Sequence, residues 1–149
     1  MNIFNLLFGF SGRINRAKYW LAALIYIIIF VVCVGLLFIP VAGTILAGIA
    51  YIAVLISGIA VGIKRLHDRN KSGWWLLLFI GVPMFLGIVQ VGANQTLDET
   101  PDSLNTVASL VNGIIGIWMI IELGCLRGTI GSNRFGPDPL PAPAGPAVQ

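Results

Sequence analysis

Three short segments hold most of the side chains in this sequence that could do chemistry. They are FSGRINRAKYW at 10–20, KRLHDRNKSGWW at 64–75 and GSNRFGPDP at 131–139. Guanidinium and ammonium groups bind anions, and a histidine beside a carboxylate is a candidate acid–base pair. The segments are far apart in the sequence, so a common site requires the intervening elements to bring them together.

The second segment contains the one candidate catalytic pair, His67 and Asp68. Neighbouring side chains on a helix point about 100° apart, so these two do not naturally bond each other. A structural role or a proton-bearing switch near neutral pH is therefore favoured for His67. We expect Asp68 to be held by its basic neighbours, which are Lys64, Arg65, Arg69 and Lys71. It has the spacing of an ion-pair partner for Lys64 or Lys71 on the same helix. Three more cations could reach Asp68 through the fold: Arg13, Arg16 and Arg134. Asp138 is open to the same two interpretations.

The composition indicates a membrane protein. The chain is 57% hydrophobic and 10% charged, with a mean hydropathy of +0.92, whereas soluble domains carry roughly 25% charged residues. A formal charge of +3 suggests nucleic acid only if the basic residues are distributed along the chain. They form clusters between apolar runs instead, so we expect no nucleic-acid partner.

The apolar runs predict an all-α membrane protein, a four-transmembrane-helix bundle within a domain of residues 1–139. A run of about 20 apolar residues gives about 30 Å of helix, the thickness of the hydrocarbon core. Residues 1–12 are too short to span and predict an interfacial segment, and the Pro/Gly-rich residues 140–149 predict a disordered tail. The predicted spans are 19–38, 44–63, 74–93 and 107–126.

The charges predict the orientation. All nine lysines and arginines flank the spans on one side, and the opposite loop carries Asp98, Glu99 and Asp102. By the positive-inside rule both termini are cytoplasmic, in a bacterial inner membrane. The basic residues are Arg13, Arg16, Lys18, Lys64, Arg65, Arg69, Lys71, Arg127 and Arg134.

Several residues inside the spans have specific expectations. Pro83 predicts a kink that leaves the carbonyl of Phe79 without its usual helical partner. Gly124 and Gly128 lie four apart, the spacing of a close helix contact within the chain or in a dimer. Glu122 is an intramembrane acid, either functional or paired near the interface. One histidine and two distant cysteines cannot build a zinc site, so we expect no metal and no cofactor.

The three segments resemble the bacterial family called domain of unknown function 805, a group of small inner-membrane proteins. The resemblance covers about residues 8–139 and rests on the patterns GRxxRxxYW, LHD, SGWW and NRFGPDP. It implies no catalytic residue, because the family name records that no general activity is established. Glu122 lies outside these patterns. The motif positions are interpreted as a structural cluster: His67, Asp68, Trp74, Trp75, Asn133 and Asp138.

Three functions are compatible with these features, and we favour a non-enzymatic accessory, scaffold or lipid-binding subunit of a membrane assembly. The alternative is a small-solute carrier or channel, possibly a dimer, with Gln90, Asn112 and Glu122 along its path. A lipid-headgroup enzyme using His67 and Asp68 is the least favoured.

We also expect a basic cytoplasmic cap, held at headgroup depth by aromatic residues, that binds an anionic group. Phospholipid headgroups are the favoured partners, before an acidic segment of a partner protein. The alternative is a structural role, in which the arginines only orient the chain and pair with Asp68, Asp138 and helix-end carbonyls. The predicted binding residues are Arg13, Arg16, Arg65, Arg69 and Arg134.

Overall fold

All regular elements are helices in the part of the chain that the computed structural model describes, residues 2–96 and 102–140. Two π-helical segments adjoin the later helices: π1 (Leu77–Gly81) precedes α4 and π2 (Ile120–Cys125) follows α5. Asp98 and Glu99, the side chain of Asp102 and the predicted tail from 141 lie outside the described residues. The α-helices are α1 (Ile3–Phe8), α2 (Arg16–Leu36), α3 (Ala42–Asp68), α4 (Val82–Thr96) and α5 (Asp102–Met119).

Among the described residues, three helical stretches are long and apolar enough to cross a membrane: Arg16–Leu36, Ala42–Asp68 and Ser103–Cys125. The fourth apolar stretch, Leu77–Ala93, is shorter. The predicted span 74–93 begins three residues earlier, and the first of them, Trp74, lies in a turn. The all-helical membrane class is therefore confirmed, whereas the number of crossings stays a prediction.

Local sequence explains the hairpin of α2 and α3. The side chain of Asn15 caps α2, as predicted, by accepting the backbone N–H of Lys18 at 3.0 Å. Pro40 cannot continue a helix, and α3 begins two residues later. A Cβ at Gly43 would overlap the backbone carbonyl of Leu36, so only glycine permits this close turn.

Helix α3 runs to Asp68, five residues past the predicted end of its span, and stops in a Schellman motif. Asn70 adopts the left-handed conformation with φ of 57°. Its N–H donates to the carbonyl of His67 at 3.0 Å, and the N–H of Lys71 donates to Leu66 at 2.9 Å. This ending places His67 and Asp68 in the last turn of α3.

The chain divides into two compact units, residues 1–73 with 127–149 and residues 74–126. In the first unit, α1 is tied to α3 by the buried Lys64, whose Nζ donates to the carbonyls of Asn5 at 2.7 Å and Leu6 at 2.6 Å. The predicted interfacial segment is thus a short helix, with Phe4 69% exposed. A small core joins it to α2 and α3: Leu6, Ile14, Ala22 and Val61.

The second unit holds both π-helical segments. Pro83 lacks an N–H and its ring excludes the carbonyl of Phe79. Segment π1 precedes it directly, so the widened turn lies where we predicted a disturbed helix. Phe79 and Trp75 contact Trp118 edge-on, with ring centroids 5.4 and 5.9 Å apart. Glu122 lies in π2 and is buried.

Candidate functional site

Arg13 joins the three motif segments. Its Nε donates to Asp68 Oδ1 at 3.2 Å, and its Nη2 donates to the same oxygen at 3.1 Å and to the carbonyl of Thr129 at 2.6 Å. Its Nη1 donates to the carbonyls of Gly131 at 2.6 Å and Gly136 at 3.1 Å. All five N–H groups of a guanidinium are used by these bonds. Arg13 is therefore an internal connector.

Asp68 lies between two guanidiniums. Oδ1 accepts from Arg13, and Oδ2 accepts from Nη1 of Arg65. The three side chains are buried, and that of Arg65 is fully enclosed. The two N–H groups of a guanidinium fork match the two oxygens of a carboxylate. Here two positive charges surround one negative charge.

This pairing confirms that basic neighbours hold Asp68, with Arg65 three residues before it on α3. It corrects the choice of Lys64 as the partner. Lys64, four residues before Asp68, donates to the carbonyls of Asn5 and Leu6 at the end of α1 instead. The carbonyl of Asn5 also accepts the N–H of Gly9 at 3.1 Å, so Lys64 adds a second donor to it. A compact ammonium group suits the carbonyls at the end of a helix. Of the three more distant candidates, the fold brings Arg13 to the carboxylate.

The loop after π2 covers the end of α3. Thr129 donates to the carbonyl of Asp68 through its N–H at 2.8 Å and its Oγ1 at 2.7 Å. Nδ2 of Asn133 donates to the carbonyl of His67 at 2.9 Å and to Thr129 Oγ1 at 2.8 Å. These contacts satisfy carbonyls of the last helical turn. We call Arg13, Arg65, Asp68, Thr129 and Asn133 the arginine junction.

Gly128 lets the loop approach Asp68. A Cβ at this position would overlap the Asp68 carboxylate. The Gly124–Gly128 spacing was interpreted as a helix contact, but π2 ends at Cys125 and Gly128 lies beyond it. That interpretation is wrong for Gly128. Thr129 did not stand out in the sequence, and Gly128 stood out for another reason, because the close approach depends on a residue 60 positions away.

His67 faces aromatic and backbone groups. Its ring stacks on Phe135, with centroids 3.8 Å apart and planes 5° from parallel. Its Nδ1 is 3.3 Å from the carbonyl of Gly12, which assigns the ring proton to Nδ1. Arg134 lies over Phe135 with Cζ 4.6 Å from the ring centroid. In the described contacts, His67 and Asp68 thus face different partners and do not form an acid–base pair.

Asp138 closes the C-terminal loop. Its Oδ1 accepts the N–H of Leu140 at 3.0 Å, and its Oδ2 accepts the N–H of Gly131 at 2.8 Å. These donors, Leu140 first, hold the pKa of Asp138 below its ordinary value because they stabilise the carboxylate. Leu140, assigned to the predicted tail, is therefore part of this loop.

The five arginines predicted to bind an anion fall into two groups. Arg13 and Arg65 are buried, so neither is placed to meet an external headgroup. Arg16 is exposed at the start of α2. Arg69 donates to the carbonyl of Arg127 at 2.7 Å, and the exposed Arg134 donates to that of Asn70 at 3.2 Å.

The residues of the predicted structural cluster are divided between the two units. His67, Asp68, Asn133 and Asp138 belong to the first unit. Trp74 and Trp75, together with Glu122, belong to the second unit.

Long apolar helices and a buried polar junction define a multi-pass membrane protein. The chain belongs to the family described as protein of unknown function (DUF805), which matches residues 7–137. This confirms the resemblance seen in the motifs.

Its relatives include three proteins of Escherichia coli (strain K12). The inner membrane protein YhaH is 36% identical over 138 residues, 88% of this chain and 87% of that protein. The inner membrane protein YhaI is 31% identical over 132 residues, 88% and 86% of the two chains. The uncharacterized protein YiiR is 31% identical over 141 residues, 93% and 90%. No solved structure matches. The chain is thus an inner-membrane protein.

Proposed function

We propose that this chain is a non-enzymatic accessory or scaffold subunit of an inner-membrane assembly. The observation that carries the proposal is the arginine junction, whose charged side chains pair with one another. An acid or base catalyst needs a group that can reach a substrate proton. Asp68 instead has both oxygens held by buried arginines, and Arg13 has every donor occupied. A rigid junction of this kind supports a fixed binding surface.

We further propose four crossings with both termini in the cytoplasm. All nine lysines and arginines belong to the first unit, as do only two of the six acids, Asp68 and Asp138. The positive-inside rule then assigns the basic surface to the cytoplasm. Leu77–Ala93 supplies the remaining crossing, because about 17 residues is the lower limit for a span.

The surface around the junction suits anionic partners. Arg16 and Arg134 are exposed, Trp20 is 50% exposed and Ile130 is 74% exposed. Basic side chains beside amphipathic rings match lipid headgroups, and they also match an acidic segment of a partner membrane protein. A second copy of the chain is a further candidate partner. We propose no nucleic-acid partner and no cofactor.

Co-purification in mild detergent tests the accessory role. Wild type is compared with Arg134→Glu, which reverses an exposed charge but leaves the arginine junction intact. We expect a defined membrane polypeptide in stoichiometric amount with wild type, lost in the variant, while melting temperature is unchanged. If the wild type and the variant are both recovered without a partner polypeptide after in-membrane cross-linking, the accessory role is contradicted.

One observation favours the carrier alternative. Among the described residues, Asn112 Oδ1 in α5 is buried without a hydrogen-bond partner. Gln90 Nε2 donates to Asn105 Oδ1 at 3.4 Å in the same unit. A polar atom left open in an apolar helix is suited to a transient ligand. Solute flux in vesicles that is abolished by Asn112→Leu and Glu122→Gln identifies a carrier.

A further inference from the structure

A small polar cavity lies beside the arginine junction, within the first unit. Its volume is about 30 Å³, above the roughly 10–15 Å³ that one water-sized oxygen needs. It therefore has room for an oxygen atom of a ligand. The lining comes from Asn15 and Arg16, from Asp68, and from residues 127–130 and 138–140.

Two arginines border this cavity at the surface. Arg16 and Arg127 both line it, and both are exposed. A ligand at this cavity can meet both guanidiniums.

The charges around the cavity favour an anion. Two carboxylates line it, Asp68 and Asp138. Asp68 is already paired with Arg13 and Arg65, so that group carries a net positive charge. Asp138 accepts the N–H groups of Gly131 and Leu140. Four arginines against two carboxylates leave a surplus of positive charge beside Arg16 and Arg127.

The position along α2 matches the depth of lipid phosphates. Arg16 is the first residue of α2, and Tyr19 and Trp20 follow within one turn. Their rings contact each other edge-on, with centroids 5.9 Å apart. Aromatic residues of this kind mark the headgroup level of a membrane helix. A phosphate at that level is within one helical turn of Arg16.

We propose that Arg16 and Arg127 bind a phosphate group over this cavity, with one phosphate oxygen inserted into it. Guanidinium forks form paired hydrogen bonds to phosphate, and the remaining oxygens stay at the surface. A phosphomonoester fits best, since it offers a terminal oxygen for the cavity and further oxygens for the two forks. This inference deepens the proposed function, on which it rests, by naming a ligand class for the basic surface.

The test measures phosphate binding by the full-length protein in nanodiscs. The probes are phosphatidate (a phosphomonoester), phosphatidylglycerol (a phosphodiester) and inorganic phosphate, each against a phosphatidylcholine background. We expect tighter retention of phosphatidate than of phosphatidylglycerol by native mass spectrometry. Competition by millimolar inorganic phosphate identifies a soluble phosphate compound as the source, and absence of competition identifies the lipid headgroup.

The variants separate a built site from general attraction. Arg16→Lys with Arg127→Lys keeps the charge and removes the forks, and we expect about tenfold weaker phosphatidate binding. Lys18→Gln with Lys71→Gln removes two charges away from the cavity, and we expect less than a twofold change. Equal losses in the two double variants, or unchanged binding in the Lys variant, overturn the phosphate site. Capture of a partner that depends on Arg134 is measured separately. The accessory role can therefore hold even if the phosphate site is overturned.

Discussion

Arg13 reaches Asp68 across 55 positions of the chain and donates to a single carboxylate oxygen from both Nε and Nη2. The same guanidinium binds carbonyls of the C-terminal loop, so one side chain connects the start of α2, the end of α3 and residues 129–136. Buried pairs of this kind are costly to break from one side, because the remaining charge is left without a partner.

Arg13→Lys tests the fork rather than the charge. Lysine keeps the positive charge but has three donors in place of five and cannot reach all four acceptors. We expect about 3 kcal/mol of destabilisation, measured as a lower melting temperature in detergent. Arg134→Lys is the matched control, because Arg134 is exposed and should change stability by less than about 0.5 kcal/mol. Equal melting temperatures for the two variants contradict the connector role.

Gly128→Ala should destabilise the protein because its Cβ would overlap the Asp68 carboxylate, which two arginines hold in place. We expect a loss of about 1–3 kcal/mol, as for other overpacked sites. Gly113→Ala is the control: a Cβ there meets nothing within 4 Å. If both alanine variants have the melting temperature of the wild type, the contact between Gly128 and the Asp68 carboxylate is not rigid.

Lys64→Met should release α1. The change removes the ammonium that bonds to the carbonyls of Asn5 and Leu6 but keeps a side chain of similar length. We expect faster hydrogen exchange at Leu6 and Gly9, whose N–H groups donate to Asn2 and Asn5. Exchange in the middle of α3 should stay unchanged. Lys18→Met is the control, because Lys18 lies outside this contact. If Lys64→Met exchanges as the wild type does, Lys64 does not hold α1 against α3.

The C-terminal loop should open in acid. The folded pKa of Asp138 lies below its ordinary value, so its contribution to the loop is present above the unfolded pKa of about 3.9 and is lost as pH falls through the folded pKa. Proteolysis after short acid exposure, or NMR of Gly131 and Leu140, should show a step in that range. Asp138→Asn should abolish the step, and a step retained in the variant assigns it to another group.

Reporter fusions test the proposed topology. A fusion after Leu104 should report the periplasm and one after Gln149 the cytoplasm, because the basic residues belong on the cytoplasmic side. Agreement establishes an odd number of crossings between Leu104 and the C-terminus. A cytoplasmic signal at Leu104 contradicts the arrangement, and a fusion after Asn70 provides the cytoplasmic reference.

The sequence by itself determined the class of the protein and most of its helices. Apolar runs such as 19–38 and 44–63 fall on α2 and α3, and the Asn15 cap and the disturbance before Pro83 were both predictable. Hydropathy, capping and proline effects act over a few neighbouring residues, so a linear sequence displays them. The ends were less predictable: α3 continues to Asp68 and stops where Asn70 adopts a left-handed conformation.

The tertiary structure alone decided which charges meet. Helix spacing favoured Lys64 for Asp68, yet the distant Arg13 binds that carboxylate beside the neighbouring Arg65, and Lys64 binds α1. Charge and spacing show which partners are possible on one helix, but the choice depends on distances between segments more than fifty residues apart. Gly128 shows the same limit, since its need for glycine arises from a carboxylate that only the folded chain brings beside it.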